Sequence, residues 1–400
     1  MAAATGIDDI NVDAGTLLIE AADIARGRGH SPDEQARLLI LRRSVLPAFE
    51  DPVTLAVNAA WPIVESSGRS NIRLLIVATE SGVDFAKPLS SYVHEHLRLP
   101  SNCRHLEVKH ACYAGTAALR LACGWLRDNP ESKALVICTD MARRLFEDPA
   151  EAAEGVGATA MLVSAEPRVM TLEKPAGVAA REIYDVIRPT PTQETIHASL
   201  SLAAYLDLLE EAWPDYQKQP GALALDAFDA LLFHTPLIPL VRQAHALLRE
   251  VAEADKAGTV GDFVRRVLPS TRFSQQTGNT YSGCLYVVLA ALAEATTAQQ
   301  RVGLFSYGSG SCAEFFHGVM QPTASSTVKP HGIDERLQAR MPVDFPTYEK
   351  LVVTTEESMT HQHHIPKRDL VKGLWERAYE GKHRLVLNAV EHHHRSYRWS

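Results

Sequence analysis

The sequence predicts an internally duplicated α/β fold, and three observations carry this. Short continuous apolar runs, which read as buried strands, alternate with longer apolar segments, which read as buried helices. The order turn, buried helix, strand occurs twice. Cys112 and Ala134 are separated by the same number of positions as Thr280 and Val302. Spacing alone also fits two unrelated βαβ units, because that length is common to them.

The elements follow in chain order. Residues 72–79 form an apolar run after polar residues, hence a buried strand. Residues 110–115 are a turn, and 116–125 are apolar nearly all round, which predicts a helix buried on every side. Residues 134–139 are a second buried strand. In the second half, 230–233 is a short strand and 278–283 a turn of small residues. Residues 285–293 are again apolar on all sides, and 302–306 is a strand that runs into Gly308-Ser309-Gly310. No long flexible linker divides the chain. The weakest punctuation is at 165–177, with Pro167 and Pro175, and then at 321–329. The halves are drawn as 1–166 and 167–400.

Composition removes several classes. The 400 residues are 46 % hydrophobic and 22 % charged, which excludes a largely disordered chain. The longest apolar run, 285–292, falls well short of the ~20 residues that span a bilayer. Residues 1–11 show no basic and apolar leader pattern. Forty Lys and Arg against 48 Asp and Glu leave a net charge of −8, which argues against bulk nucleic-acid binding. The expected setting is cytoplasmic. Of the six cysteines (103, 112, 123, 138, 284 and 312), no two have C-x-x-C spacing. Cys123 and Cys138 sit inside a helix and a strand and read as core thiols.

Polar residues stop several strands. Glu80 follows 72–79, Asp140 follows 134–139, His234 follows 230–233, and Gly308-Ser309-Gly310 follows 302–306. In open α/β sheets, ligands bind beyond the carboxyl ends of strands, so these groups are expected to converge. Cys112 lies in His110-Ala111-Cys112-Tyr113-Ala114-Gly115-Thr116, just before a helix. Unpaired N–H groups and the positive dipole end there are expected to lower its pKa and to hold an oxyanion. These residues fit a cysteine hydrolase and an acyltransferase equally.

Six dispersed segments then resemble the 3-hydroxy-3-methylglutaryl (HMG) synthases of the thiolase superfamily. They are Val77-Ala78-Thr79-Glu80-Ser81, Ala111-Cys112-Tyr113, Ile183-Tyr184-Asp185 with Arg188-Pro189, Phe233-His234-Thr235-Pro236, Gly278-Asn279-Thr280-Tyr281-Ser282-Gly283, and Gly303-Leu304-Phe305-Ser306-Tyr307-Gly308-Ser309-Gly310. They occur in family order. The resemblance implies a thiolase-like fold of five α/β/α/β/α layers with duplicated βαβαβαββ halves, assembled as a homodimer. It implies that Cys112 takes an acyl group as a thioester, that Glu80 removes a proton from the acyl methyl, and that His234 orients the β-keto group of the acceptor. The backbones at Cys112 and Ser309 would bind the oxyanion. Asn279, Tyr205, Tyr281 and Gly308 would line the substrate site, with Asp140 and Asp185 in support. No cofactor and no metal are implied. His361, His363, His364 and His392, His393, His394 read as solvated surface.

The chain looks more like the polyketide β-branching members than the CoA-dependent members of isoprenoid synthesis. Glu50-Asp51-Pro52-Val53-Thr54 with Val57-Asn58-Ala59-Ala60, Val108-Lys109-His110-Ala111-Cys112-Tyr113 and Tyr397-Arg398-Trp399-Ser400 resemble the polyketide members. The CoA-dependent members carry lysines after the histidine motif. Here that stretch is Leu237-Ile238-Pro239-Leu240-Val241-Arg242-Gln243. The implied partners are donor and acceptor acyl carrier proteins bearing phosphopantetheine, in a pathway of the kind that makes antibiotics. Arg42-Arg43, Arg143-Arg144 and Arg265-Arg266 are the candidate docking cations. The alternative is an HMG-CoA synthase of the mevalonate pathway, using acetyl-CoA and acetoacetyl-CoA.

Overall fold

The protein is described by a computed structural model covering residues 4–142, 149–190 and 193–400. Its main sheet has nine strands: β1 (Thr5–Asp13), β2 (Ile72–Ala78), β3 (Arg104–Val108), β4 (Lys133–Met141), β5 (Val156–Ser164), β6 (Met170–Ala180), β7 (Ala230–Phe233), β8 (Gln300–Gly308) and β9 (Cys312–Met320). Five helices matter for the site: α1 (Pro52–Ser67), α2 (Ala114–Asp128), α3 (Ala198–Gln217), α4 (Ile238–Val251) and α5 (Cys284–Ala295).

The strand order is β7-β8-β9-β6-β1-β5-β4-β2-β3. The pairing pattern repeats. In the first half β1 pairs antiparallel with β5, β5 antiparallel with β4, and β4 parallel with β2. In the second half β6 pairs antiparallel with β9, β9 antiparallel with β8, and β8 parallel with β7. The halves join where Thr5, Gly6 and Ile7 of β1 face Leu172, Thr171 and Met170 of β6. The 166/167 division falls between β5 and β6.

Alternation within the strands builds the layers. Leu74, Ile76 and Ala78 of β2 face the same core as α2 and α5, with residues of β1, β4, β8 and β9. Ile72, Leu75 and Val77 face α1 on the opposite side. On the outer side of the second half, α3 and α4 cover Leu231, Phe233, Phe305 and Phe315. Both faces of each half are therefore buried, which explains the continuous apolar runs. This is the duplicated five-layer arrangement that the resemblance implies.

One expectation needs correction. Helix α2 is not buried all round: Leu121 is 53 % exposed and nothing lies against Gly124. Its buried residues form one wide stripe, from Ala114 to Leu126, against the central core. Helix α5 is buried on nearly every side, as expected. The last stretch of the chain returns to the first half. Met341 pairs with Leu17, and Arg395 and Tyr397 meet Asp51, the N-cap of α1, at 2.8 Å. No helix among the described residues is long and apolar enough to cross a membrane.

The starts of α2 and α5 meet at the centre. A Cβ on Gly115 would stand 2.5 Å from the Ser282 carbonyl oxygen and 2.7 Å from Cys138 Sγ. Backbone cannot yield as a flexible side chain can. Gly115→Ala should therefore lower the unfolding free energy by about 1–3 kcal/mol, measured by urea denaturation. An unchanged midpoint would show that the two helix starts have slack.

Candidate active site

The carboxyl ends of β2, β7 and β8 open toward one cavity of about 390 Å3. Glu80 enters from the end of β2, His234 from β7 and Ser309 from β8, with Cys112 just before α2. Asn279, Tyr205 and Tyr281 complete the expected lining.

Each side chain has a local reason for its place. Asp140, at the end of β4, is buried and accepts from the Thr79 hydroxyl (3.0 Å), the Glu80 N–H (2.9 Å), the Ser282 N–H (3.1 Å) and the Ser282 hydroxyl (2.5 Å). Burial pushes its pKa up, while the donors and Arg188 oppose that shift. Glu80 is also held from the other side. Arg188 donates to the Glu80 carbonyl at 2.8 Å and lies 3.0 Å from its carboxylate. Arg188 pairs with Glu194 as well. Burial works against the Arg188 charge, but Glu80 and Glu194 outweigh it and hold its pKa up.

Cys112 sits in a tight turn. Ala111 has φ +41°, and the Tyr113 N–H donates to the His110 carbonyl at 3.0 Å. Gly308 lies directly beneath: a Cβ there would stand 2.4 Å from Tyr113 N and 2.9 Å from the His110 oxygen. Gly308 therefore seats the nucleophile turn and does not line the cavity. The hydroxyls of Thr116 and Ser306 are 2.7 Å apart, and Tyr113 OH donates to Glu314 at 2.8 Å. The second half thus grips the first-half helix that follows the cysteine.

The expected thiolate is not what the structure holds. Burial pushes the Cys112 thiol well above its ordinary value, and the charge of Glu80 adds to this. The helix begins at Ala114, two residues on, so Cys112 lies outside its first turn and the dipole does not overcome desolvation. Cys284 is a core thiol, bonded to the Thr235 carbonyl and pushed up to about 12 by burial.

His234 is buried, and its carbonyl accepts from Tyr205 OH at 2.7 Å. Burial lowers its pKa to about 3, so its ring is neutral at working pH. Its Nδ1 has no partner among the described residues. Asn279 is fixed by accepting from the Tyr281 N–H at 2.9 Å. Asp185 stands back from the cavity. It accepts from Tyr307 OH (3.2 Å) and the Gly310 N–H (3.1 Å), steadying the turn that carries Ser309.

The sequence reading missed four lining or flanking residues. Arg188 stood inside a quoted motif but was given no role. Glu154, Glu194 and Tyr307 also face the cavity. Burial raises Glu154 to about 7, helped by nearby Glu194 and opposed by Tyr281, Arg43 and Asn279. No local pattern marks Glu154 or Glu194, because the cavity is what groups them.

The candidate docking cations fare unevenly. Arg43 and Arg266 are buried, Arg43 against Tyr348 and Arg266 against Asp262. Each pair therefore presents one arginine to solvent, not two. Arg143 and Arg144 lie outside the described residues. Away from the cavity, Glu357, His361 and His364 bring their ligand atoms within 4.8 Å of one another at the surface.

Comparison with known proteins gives the family. Residues 250–398 match the family model for the C-terminal part of hydroxymethylglutaryl-coenzyme A synthase. The chain is 35 % identical to the polyketide biosynthesis 3-hydroxy-3-methylglutaryl-ACP synthase PksG of Bacillus subtilis, over 98 % of this chain and 99 % of that one. It is 33 % identical to the hydroxymethylglutaryl-CoA synthase of Enterococcus faecalis, over 76 % and 78 %. Its structure is similar to the HMG synthase of the curacin biosynthetic pathway, with TM-score 0.94, 36 % identity and coverage of 99 % and 100 %. That protein has also been solved in complex with acetyl donor-ACP.

The raised thiol has a measurable sign. Alkylation of Cys112 by iodoacetamide, followed by peptide mass mapping, should still accelerate with pH at pH 9. A plateau reached near neutrality would show a resting thiolate.

Proposed function

Because the chain belongs to the 3-hydroxy-3-methylglutaryl synthase family, we propose that it adds an acetyl unit to the β-ketone of an acyl chain held on a carrier protein. The observation that carries the chemistry is that Glu80, Cys112 and His234, distant in sequence, line one cavity. The enzyme is a carbon–carbon bond-forming acyltransferase.

Cys112 Sγ attacks the acetyl thioester, and its proton leaves with the thiol of the donor's phosphopantetheine arm. Glu80 then takes a proton from the acetyl methyl, leaving an enolate. That C–H is weakly acidic, so base and oxyanion support must act together. The backbone N–H groups of Cys112 and Ser309 supply the support. The enolate carbon attacks the ketone of the acceptor at near-attack distance. Neutral His234 offers an N–H to the ketone oxygen, and the new alkoxide takes a proton back from Glu80. Water cleaves the Cys112 thioester, giving a carboxylate and the free thiol. The product is a 3-hydroxy-3-carboxymethyl thioester on the acceptor carrier. No metal or bound cofactor takes part.

The carrier-bound donor is supported by what lies beyond the cavity. Leu237 and Leu240, at the start of α4, line it, and Arg242 is the only cation among residues 237–243. Lysines to meet the phosphates of a CoA nucleotide are missing there. Each such charged contact would contribute about 1.5–3 kcal/mol in a dry site. A homodimer belongs to the same reading. β3 is an edge strand with Leu106 exposed, and Leu121 on α2 is exposed as well. The reading also places the enzyme in the cytoplasm beside its carrier proteins, in a pathway of antibiotic type.

Two experiments test this. Glu80→Gln should still gain acetyl mass at Cys112, while condensation falls by roughly 10²–10⁴-fold, read by intact-protein mass spectrometry with and without a β-ketoacyl carrier protein. Normal product from that variant would place the base elsewhere. In the second, acylation of the wild type by a cognate acetyl carrier protein should exceed acylation by acetyl-CoA in kcat/KM, and added salt should slow the former more. Equal efficiency with acetyl-CoA would turn the assignment to the mevalonate enzyme.

A further inference from the structure

A second cavity, also about 390 Å3, shares no residue with the first. It lies between the end of β1, the helix Ile333–Ala339 and the segment around Arg384. Five cationic side chains line it: Arg336, Arg340, Arg377, Lys382 and Arg384. The only carboxylate in its wall is Asp13.

Asp13 is already engaged, 2.9 Å from the Arg384 guanidinium, which also meets Glu50 at 3.1 Å. The other cations feel carboxylates only at longer range: Asp13 acts on both Arg336 and Arg340 without pairing with either. Arg340 is 5 % exposed and donates only to neutral acceptors: the Leu337 carbonyl, the Gln276 carbonyl and the Ser44 hydroxyl. Arg336 donates to the Asn11 side chain and to the Val12 and His331 carbonyls. Neither forms an ion pair among the described residues. Arg377 and Lys382 are exposed at the rim and are likewise without an ion pair there.

Neutral acceptors recover only part of the cost of stripping water from a guanidinium. Burial accordingly lowers Arg340 to about 10, with Arg42 nearby adding to the effect and Asp13 and Glu20 opposing it. Against five cations the wall offers one carboxylate, and that one is paired with Arg384. Planar guanidinium forks match phosphate oxygens two at a time, which an ammonium cannot do. Between the cations the wall is apolar, with Ile333, Leu337 and Met341.

We propose that this cavity is a binding site for an organic phosphate. Arg336, Arg340 and the rim cations hold the phosphate, and Ile333, Leu337 and Met341 receive the carbon body. The site is independent of the acyl chemistry, since no catalytic residue contributes to it.

The test uses the full chain and two probes, n-hexyl phosphate and inorganic phosphate, titrated calorimetrically at low ionic strength. Hexyl phosphate should bind one per chain and roughly ten-fold tighter than inorganic phosphate, because its chain is removed from water. The rim variant Arg377→Gln/Lys382→Gln changes only exposed positions and keeps the fold. It should weaken both probes roughly five-fold or more. Hydrogen exchange should show hexyl phosphate protecting residues 333–341. No binding at millimolar probe, equal affinity for the two probes, an unaffected rim variant, or protection elsewhere would each overturn the proposal.

Discussion

The site hangs on one buried carboxylate. Asp140 belongs to the first half, yet it takes donors from Thr79 and Glu80 on one side and from Ser282 on the other. Truncating such a group leaves several buried donors without acceptors, at about 1–3 kcal/mol each. The backbone of Glu80, the proposed base, is thereby tied to the turn that opens α5. Gly115 and Gly308 make the same junction tight by removing a side chain where two backbones approach. Asp140 does not line the cavity, but the position of the Glu80 backbone follows from it.

The electrostatics of the cavity follow from burial more than from any single charge. Three carboxylates line it, Glu80, Glu154 and Glu194, with Arg188 between the first and the last. Desolvation keeps His234 neutral and Cys112 protonated. That resting state suits the proposed enolate intermediate. A charged imidazolium would bind an anion tightly at the start, whereas a neutral ring can polarise a ketone without holding the donor's oxyanion in the wrong place. A raised thiol also disfavours the thiolate form that oxidants attack.

The strands were legible because both faces of the sheet are buried, which writes itself as uninterrupted apolar sequence, as at 72–79 and 230–233. Repetition showed in spacing because each half ends with the same turn, helix and strand. Glu80, Cys112 and His234 were legible because each follows or precedes such a run directly. What could not be read is what depends on distance across the fold. Arg188 and Glu194 gain meaning only when a loop brings them against Glu80. The ionisation of Cys112 was misjudged because sequence shows the coming helix but not the depth of burial or the neighbouring carboxylate. The exposed face of α2 was missed because Leu121 is apolar, and apolarity alone does not say which side meets solvent.

The shared ownership of Asp140 has a bearing on waste. The proposed reaction spends an activated acyl thioester, which a half-built site would hydrolyse without forming a carbon–carbon bond. Here the turn under Cys112 is shaped by Gly308, and Glu80 is set through Asp140 and Ser282, with Gly308 and Ser282 both from the second half. A chain emerging from the ribosome completes its first half well before either residue exists. Until the second half docks, the contact of Ser282 with Asp140 and that of Gly308 with the Cys112 turn do not exist, so the arrangement of Glu80 and Cys112 seen here is completed only by the whole chain.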